Sequence, residues 1–165
     1  MQRTILTPIY LLIVVSGFFF TCSAQVSSTQ VRGMSEKADI IITGKVIQQK
    51  SSWNEDNSRI YTNATIQVDE YLKGNNSESS VVVRYLGGEV GDVGELYSHM
   101  PRFEDKEEVL VFLTKDEQNS NYKVFNGSDG KINIIEDLKT GEKVTTSNVK
   151  VNSLKAQIKS YINEQ

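Results

Sequence analysis

The stretch Arg59–Leu72, RIYTNATIQVDEYL, sets Ile60, Thr62, Ala64, Ile66 and Val68 on one alternating face and Tyr61, Asn63, Thr65, Gln67 and Asp69 on the other. A period of two held over five pairs predicts a long strand with one face on a core and the other on solvent or a second layer. Upstream, Asp39–Lys50 (DIIITGKVIQQK) is rich in β-branched residues, with Ile40, Ile42 and Val46 on one side. Gly44 in its middle predicts a bend or bulge of the kind that turns a barrel corner. The polar run Ser51–Ser58 reads as the tip of a hairpin joining the two strands.

Downstream, Ser80–Leu86 predicts a third strand after the turn Lys73-Gly74-Asn75-Asn76. Val109–Leu113 (VLVFL) is a continuous apolar run that suits a strand buried on both sides. Tyr122–Phe125 and Lys131–Ile135 read as two more strands joined by the hairpin connection Asn126–Gly130, and Gly141 turns a short ribbon around Val144. Val31 and Met34 mark a short helix or turn within Thr29–Lys37, after a loose polar stretch from Gln25 to Gln30. From Asn152, read as the N-cap, Leu154, Ile158, Tyr161 and Ile162 recur at helical spacing. The fold class is therefore all-β, or β-rich: a small Greek-key barrel of the oligonucleotide/oligosaccharide-binding type with a C-terminal amphipathic helix.

Composition bounds the function. The chain has 165 residues, a net charge of -3, one Cys and one His. An acidic surface disfavours phosphate backbones, so nucleic acid is not the expected partner. One His and one Cys cannot build a structural zinc site. The residues imply no cofactor and no resident metal. The tip WNEDNSR lacks the alternating carboxylates and closing Glu of a calcium loop.

Residues 1–24 read as a secretory signal: Arg3, an apolar run Ile5–Phe20, then small residues Cys22, Ser23 and Ala24. Cleavage after Ala24 leaves one domain, residues 25–165, of 141 residues with no Cys and no expected membrane span. The alternative is a lipid anchor at Cys22, although Phe19-Phe20-Thr21 fits the usual box poorly. Either way the expected location is secreted or cell envelope.

The longest irregular segment, Gly87–Met100, carries so many glycines that no regular structure is expected, and long ordered loops tend to carry function. The candidate ligand-binding residues are Gly87, Gly88, Gly91, Tyr97, His99, Arg102 and Phe103. Glycines let a backbone approach a ligand closely, but they equally serve a chain crossing the barrel end while Pro101 and Phe103 plug its mouth. His99 is without a second His, and Ser128 lies in NGSDG, which is no nucleophile elbow, so no catalytic residue is assigned and the protein is read as non-enzymatic.

The succession ADIIITGKV (38–46), YTNATIQVDEYLKG (61–74), VVVRYLGGEVG (81–91), PRFEDKEEVLVFL (101–113) and YKVFNGSDGKINI (122–134) resembles a group of secreted bacterial domains of unassigned function, some of which precede a matrixin-like metalloprotease region. More distantly it is similar to the netrin-like fold of tissue inhibitors of metalloproteinases. That resemblance implies a protein partner, an extracellular metalloprotease among the candidates. Those inhibitors chelate the protease zinc through an N-terminal Cys, which the mature chain lacks. The alternative is a carbohydrate-binding module using Trp53, Tyr61 and Tyr71. Intact-mass measurement of the exported protein is expected to give a chain beginning at Gln25; a diacylated species beginning at Cys22 would replace that reading with a lipid anchor.

Overall fold

The computed structural model describes residues 27–74, 77–117 and 120–164. The stretch read as a signal, with Cys22, and part of the turns at 73–76 and 116–121 lie outside the described residues. No helix among the described residues is long and apolar enough to cross a membrane.

Strands β1 (Ile40–Trp53), β2 (Ile60–Lys73) and β3 (Ser80–Leu86) form an antiparallel meander. β6 (Glu108–Lys115) returns to pair with β1, and β7 (Tyr122–Val124) bridges β6 to β3, running parallel to β3. The order β1-β2-β3-β7-β6 therefore closes on itself as a five-stranded barrel of the oligonucleotide/oligosaccharide-binding type. Closure leaves few free edges, which suits a domain without disulfides.

β6 explains the VLVFL run. Val109, Val111 and Leu113 point into the barrel with Ile42, Val46, Ile66 and Val83. Leu110 and Phe112 point outward into a second core beneath two helices, α1 (Ser28–Lys37) and α2 (Val151–Asn163). Ser27 and Gln30 form a capping box on α1, so the stretch read as loose is ordered from Ser27 onward. α2 begins one residue before Asn152 and has Lys150 at its N-cap without a side-chain bond. A backbone bridge from Val144 to Lys150 and the burial of Val151 fix that start, and they override the capping preference of Asn152.

Two further expectations need correction. Gly87–Met100 is not wholly irregular: β4 (Gly88–Val90) and β5 (Val93–Glu95) make a small ribbon turning at Gly91-Asp92. Gly91 adopts φ 60°, which suits the tight turn. Asn126–Gly130 is not a hairpin connection either. β7 and β8 (Lys131–Glu136) lie in succession along the same edge of β6, joined by a 3-10 turn over Gly127–Gly130. Asn126 and Gly127 both take positive φ there, which jogs the chain aside without reversing it. β9 (Lys143–Thr145) then pairs with β8 around Gly141, as the ribbon reading expects.

Gly44 lies where the β1–β2 register shifts, and a Cβ there would overlap the Gln67 carbonyl oxygen, so the bend requires glycine. This shift and a second one in β1 change which residues face inward. Asp69 has no partner in β1, and beyond it Tyr71 takes the barrel side while Glu70 and Leu72 turn toward the helices. Ile47 is likewise skipped in β1, which leaves it 53% exposed and turns Gln49 and Ser51 toward the barrel mouth.

Glu70 then clamps α2, accepting bonds from Lys155 Nζ (2.9 Å) and Lys159 Nζ (2.8 Å). The bonds from Lys159 and Lys155 hold its carboxyl below the usual glutamate range. A lowered folded-state pKa contributes stability that is complete above the unfolded value and is lost as pH falls through the folded one. Thermal unfolding followed from neutral pH into the acid range is therefore expected to show Glu70→Gln less stable than wild type at neutral pH, with the two converging at acid pH; parallel curves would refute the clamp.

Candidate functional site

Two recesses meet at the barrel mouth. The first, about 840 Å³, lies over β2 and β3 between the β1–β2 turn (Asn54–Asp56) and Asp116 of the β6–β7 turn. Trp53, Tyr61, Arg84 and Lys123 stand in its walls. The second, about 580 Å³, is lined by Gln49, Ser51 and Thr62 on one side and by the β4–β5 ribbon with Arg102 and Phe103 on the other. Tyr85, Leu86, Met100 and Pro101 line both and form a saddle between them.

The ribbon crosses the mouth on Gly87-Gly88. Thr62, 2% exposed, donates its hydroxyl to Gly87 O (2.6 Å) and shares a bond with Ser51 Oγ (2.8 Å), while Gly87 N–H donates to Ile60 O (2.8 Å). Gly88 has φ 132°, and a Cβ on it would strike the Thr62 and Ser51 hydroxyls. The ribbon's far side is held by Glu95, whose Oε2 accepts from Ile60 N–H (3.1 Å) and from Tyr97 OH (3.1 Å). Arg59 donates to the same Tyr97 oxygen at 2.7 Å.

Phe103, 5% exposed, sits in the barrel core with its ring centroid 5.6 Å from that of Tyr85. Lys131 Nζ lies 5.0 Å from the same ring and is paired with Glu107 at 2.8 Å, both side chains nearly buried. Glu107 Oε1 also accepts from Glu104 N–H, so this pair ties the loop after Pro101 to β8. Tyr85 donates to Gln49 Oε1 (3.0 Å), and burial raises its phenol pKa.

Of the seven candidate ligand-binding residues, Gly87, Gly88, Tyr97, Arg102 and Phe103 converge on the second recess. Gly91 is exposed at the ribbon tip, outside it. His99 is also exposed and lines neither recess; its Nδ1 is 3.2 Å from Ser98 Oγ and its carbonyl accepts from Ser128 N–H. Among the described residues no Asp or Glu bonds the His99 ring, and no three His, Cys, Asp or Glu stand close enough to hold a metal ion.

Trp53 and Tyr61 share the first recess, but Tyr71 does not. Ten residues of strand, roughly 30 Å at about 3.3 Å per residue, separate Tyr61 from Tyr71. The Tyr71 hydroxyl donates to Glu78 O, and its ring packs on the barrel core. Arg84 covers one face of Tyr61, its guanidinium carbon 4.2 Å from the ring centroid. Arg84, Leu86 and Met100 were not among the candidates. Only the β2–β3 register, with Tyr61 opposite Leu86 and Asn63 opposite Arg84, places Arg84 diagonally across from Tyr61.

No protein-family model matches the chain, and no curated protein sequence matches it.

Replacing Thr62 by Val keeps the shape and leaves the Gly87 carbonyl and the Ser51 hydroxyl without their partner. A loss of about 1–3 kcal/mol is expected from urea unfolding, together with faster amide exchange at Gly87. Unchanged exchange at Gly87 would show that the hydroxyl does not anchor the ribbon.

Proposed function

We propose that this protein is an extracytoplasmic, non-enzymatic binding module whose mouth cleft receives an extended segment of another protein, with an extracellular protease or an envelope component as the partner class. The carrying observation is the saddle: two recesses run together over Tyr85, Leu86, Met100 and Pro101, giving an elongated trough and not a closed pocket. An extended chain fits such a trough, with side chains falling alternately to either side. The cleft occupies the second and third barrel strands between the turns after the first and fourth, the face that barrels of this architecture commonly use for ligands; that correspondence is an analogy of fold.

The netrin-like resemblance supports a protein partner, and the absence of Cys from residues 25–165 argues against a zinc-chelating wedge as the mode of binding. A sugar platform is the weaker reading. Its three aromatics do not form one surface, and one of the two in the cleft is covered by Arg84.

The test is capture from culture medium and periplasm by the mature chain, identification of the captured protein, and a reciprocal affinity measurement with that protein purified. Met100→Glu and Leu86→Asp in the saddle are expected to weaken the measured affinity at least tenfold, while Leu138→Asp, at a fully exposed turn remote from the cleft, leaves it unchanged. Loss with Leu138→Asp and not with the saddle variants would place the interface elsewhere; binding confined to a glycan panel would replace the protein reading.

A further inference from the structure

We infer that the cleft selects acidic segments, gripping carboxylates on either side of its apolar saddle with Arg84 and Arg102. This deepens the reading of the cleft as a trough for an extended protein segment and rests on it.

The distribution of arginine carries the inference. Four arginines lie among the described residues, and Arg32, on α1, is paired with Glu164. The other three, Arg59, Arg84 and Arg102, cluster at the mouth, and none has a carboxylate partner among the described residues. Every other ion pair among those residues is made by lysine. Arg84 lines the first recess and Arg102 the second, with Leu86, Met100 and Pro101 between them. Stacking on Tyr61 holds the Arg84 guanidinium in place without using its N–H fork, and a planar fork so held is suited to a bidentate carboxylate.

The acids of the same walls are mostly engaged elsewhere. Asp116 is paired with Lys123, Asp56 accepts from the Ser58 N–H and hydroxyl, and Glu95 accepts from Ile60 and Tyr97. Glu55 lines the first recess and Glu89 the second, and both are exposed. Arg84 and Arg102 directly adjoin the saddle residues Tyr85 and Pro101 in the chain and have no ion-pair partner among the described residues, so two cations flank the apolar surface. A segment that alternates Asp or Glu with aliphatic residues matches both features; an anionic glycan matches only the charge.

The probes are a fluorescein-labelled Asp-Leu-Glu-Val repeat peptide, its Asn-Leu-Gln-Val counterpart, and oligogalacturonate, each titrated by anisotropy or competition against the mature chain. The acidic peptide is expected to bind at least tenfold more tightly than the amide peptide. That preference should shrink with added salt, and it should be lost in Arg84→Gln and in Arg102→Gln but kept in Arg32→Gln. Unfolding midpoints of the variants confirm that they fold, and Arg84→Lys tests charge without the planar fork. Equal binding of the two peptides overturns acid selection while the extended-segment reading stands. Binding of oligogalacturonate with neither peptide overturns both, and no binding of any probe overturns the acidic-segment inference.

Discussion

The rest of the structure depends on one strand being buried on both faces. Val109, Val111 and Leu113 fill the barrel, and Leu110 and Phe112 fill the space beneath the helices, all five at 0% exposure. Burial of a side chain of this kind contributes roughly 1.5–3 kcal/mol. Because alternate residues of β6 belong to different cores, the barrel and its helical layer share a strand and stabilise each other. β1 does the same with Ile41 facing the helices and Ile42 facing the barrel. This coupling stabilises a chain whose one Cys allows no internal disulfide.

The mouth end is built differently. There the inward positions are polar, with Gln49, Ser51, Thr62 and Tyr85 bonded to one another or to the ribbon backbone. Such a network fixes geometry more than it adds stability, since each bond replaces one to water. The barrel body thus holds the fold, while the mouth is a shaped polar surface whose groups are largely satisfied internally. Leu86, Met100 and Pro101 of the saddle, with Arg84 and Arg102 beside them, stay outside that network.

The barrel was legible because its strands carry strong periods: five alternating pairs in Arg59–Leu72, β-branched residues around Gly44, and the unbroken VLVFL. Gly44 marks one register shift, but the pattern does not tell which residues of the two strands are left without partners. The skipped residue Ile47 reassigns Gln49 and Ser51 to the mouth, and skipped Asp69 sends Glu70 and Leu72 to the helices. A strand pattern does not reveal a bulge when the extra residue is as compatible with strand as its neighbours. The glycine-rich stretch failed in the opposite sense. Glycine density argued against regular structure, yet Val90 and Val93 pair across a two-residue turn that glycine makes possible. In the site, the loop residues Gly87, Gly88, Tyr97, Arg102 and Phe103 were found because they are close in sequence, whereas Arg84 joins them only through strand register.

Arginines without carboxylate partners in the cleft of an acidic chain are not a contradiction. The net charge of -3 describes the chain as a whole, but at physiological ionic strength exposed charges more than roughly 8 Å apart are largely screened from each other. What an approaching segment meets is the local arrangement. Lysines placed against Glu70, Glu107, Glu108 and Asp116 cancel much of the charge where helices and loops are fastened. Arginines held by tyrosine rings need no carboxylate to be positioned: Arg84 lies on Tyr61, and Arg59 lies 5.9 Å from the Tyr97 ring centroid. Aromatic support therefore does for the mouth what ion pairing does for the body. At Arg84 it orients the cation and leaves its hydrogen-bonding fork unspent, which is the physical condition for a charged side chain to act on something outside the fold.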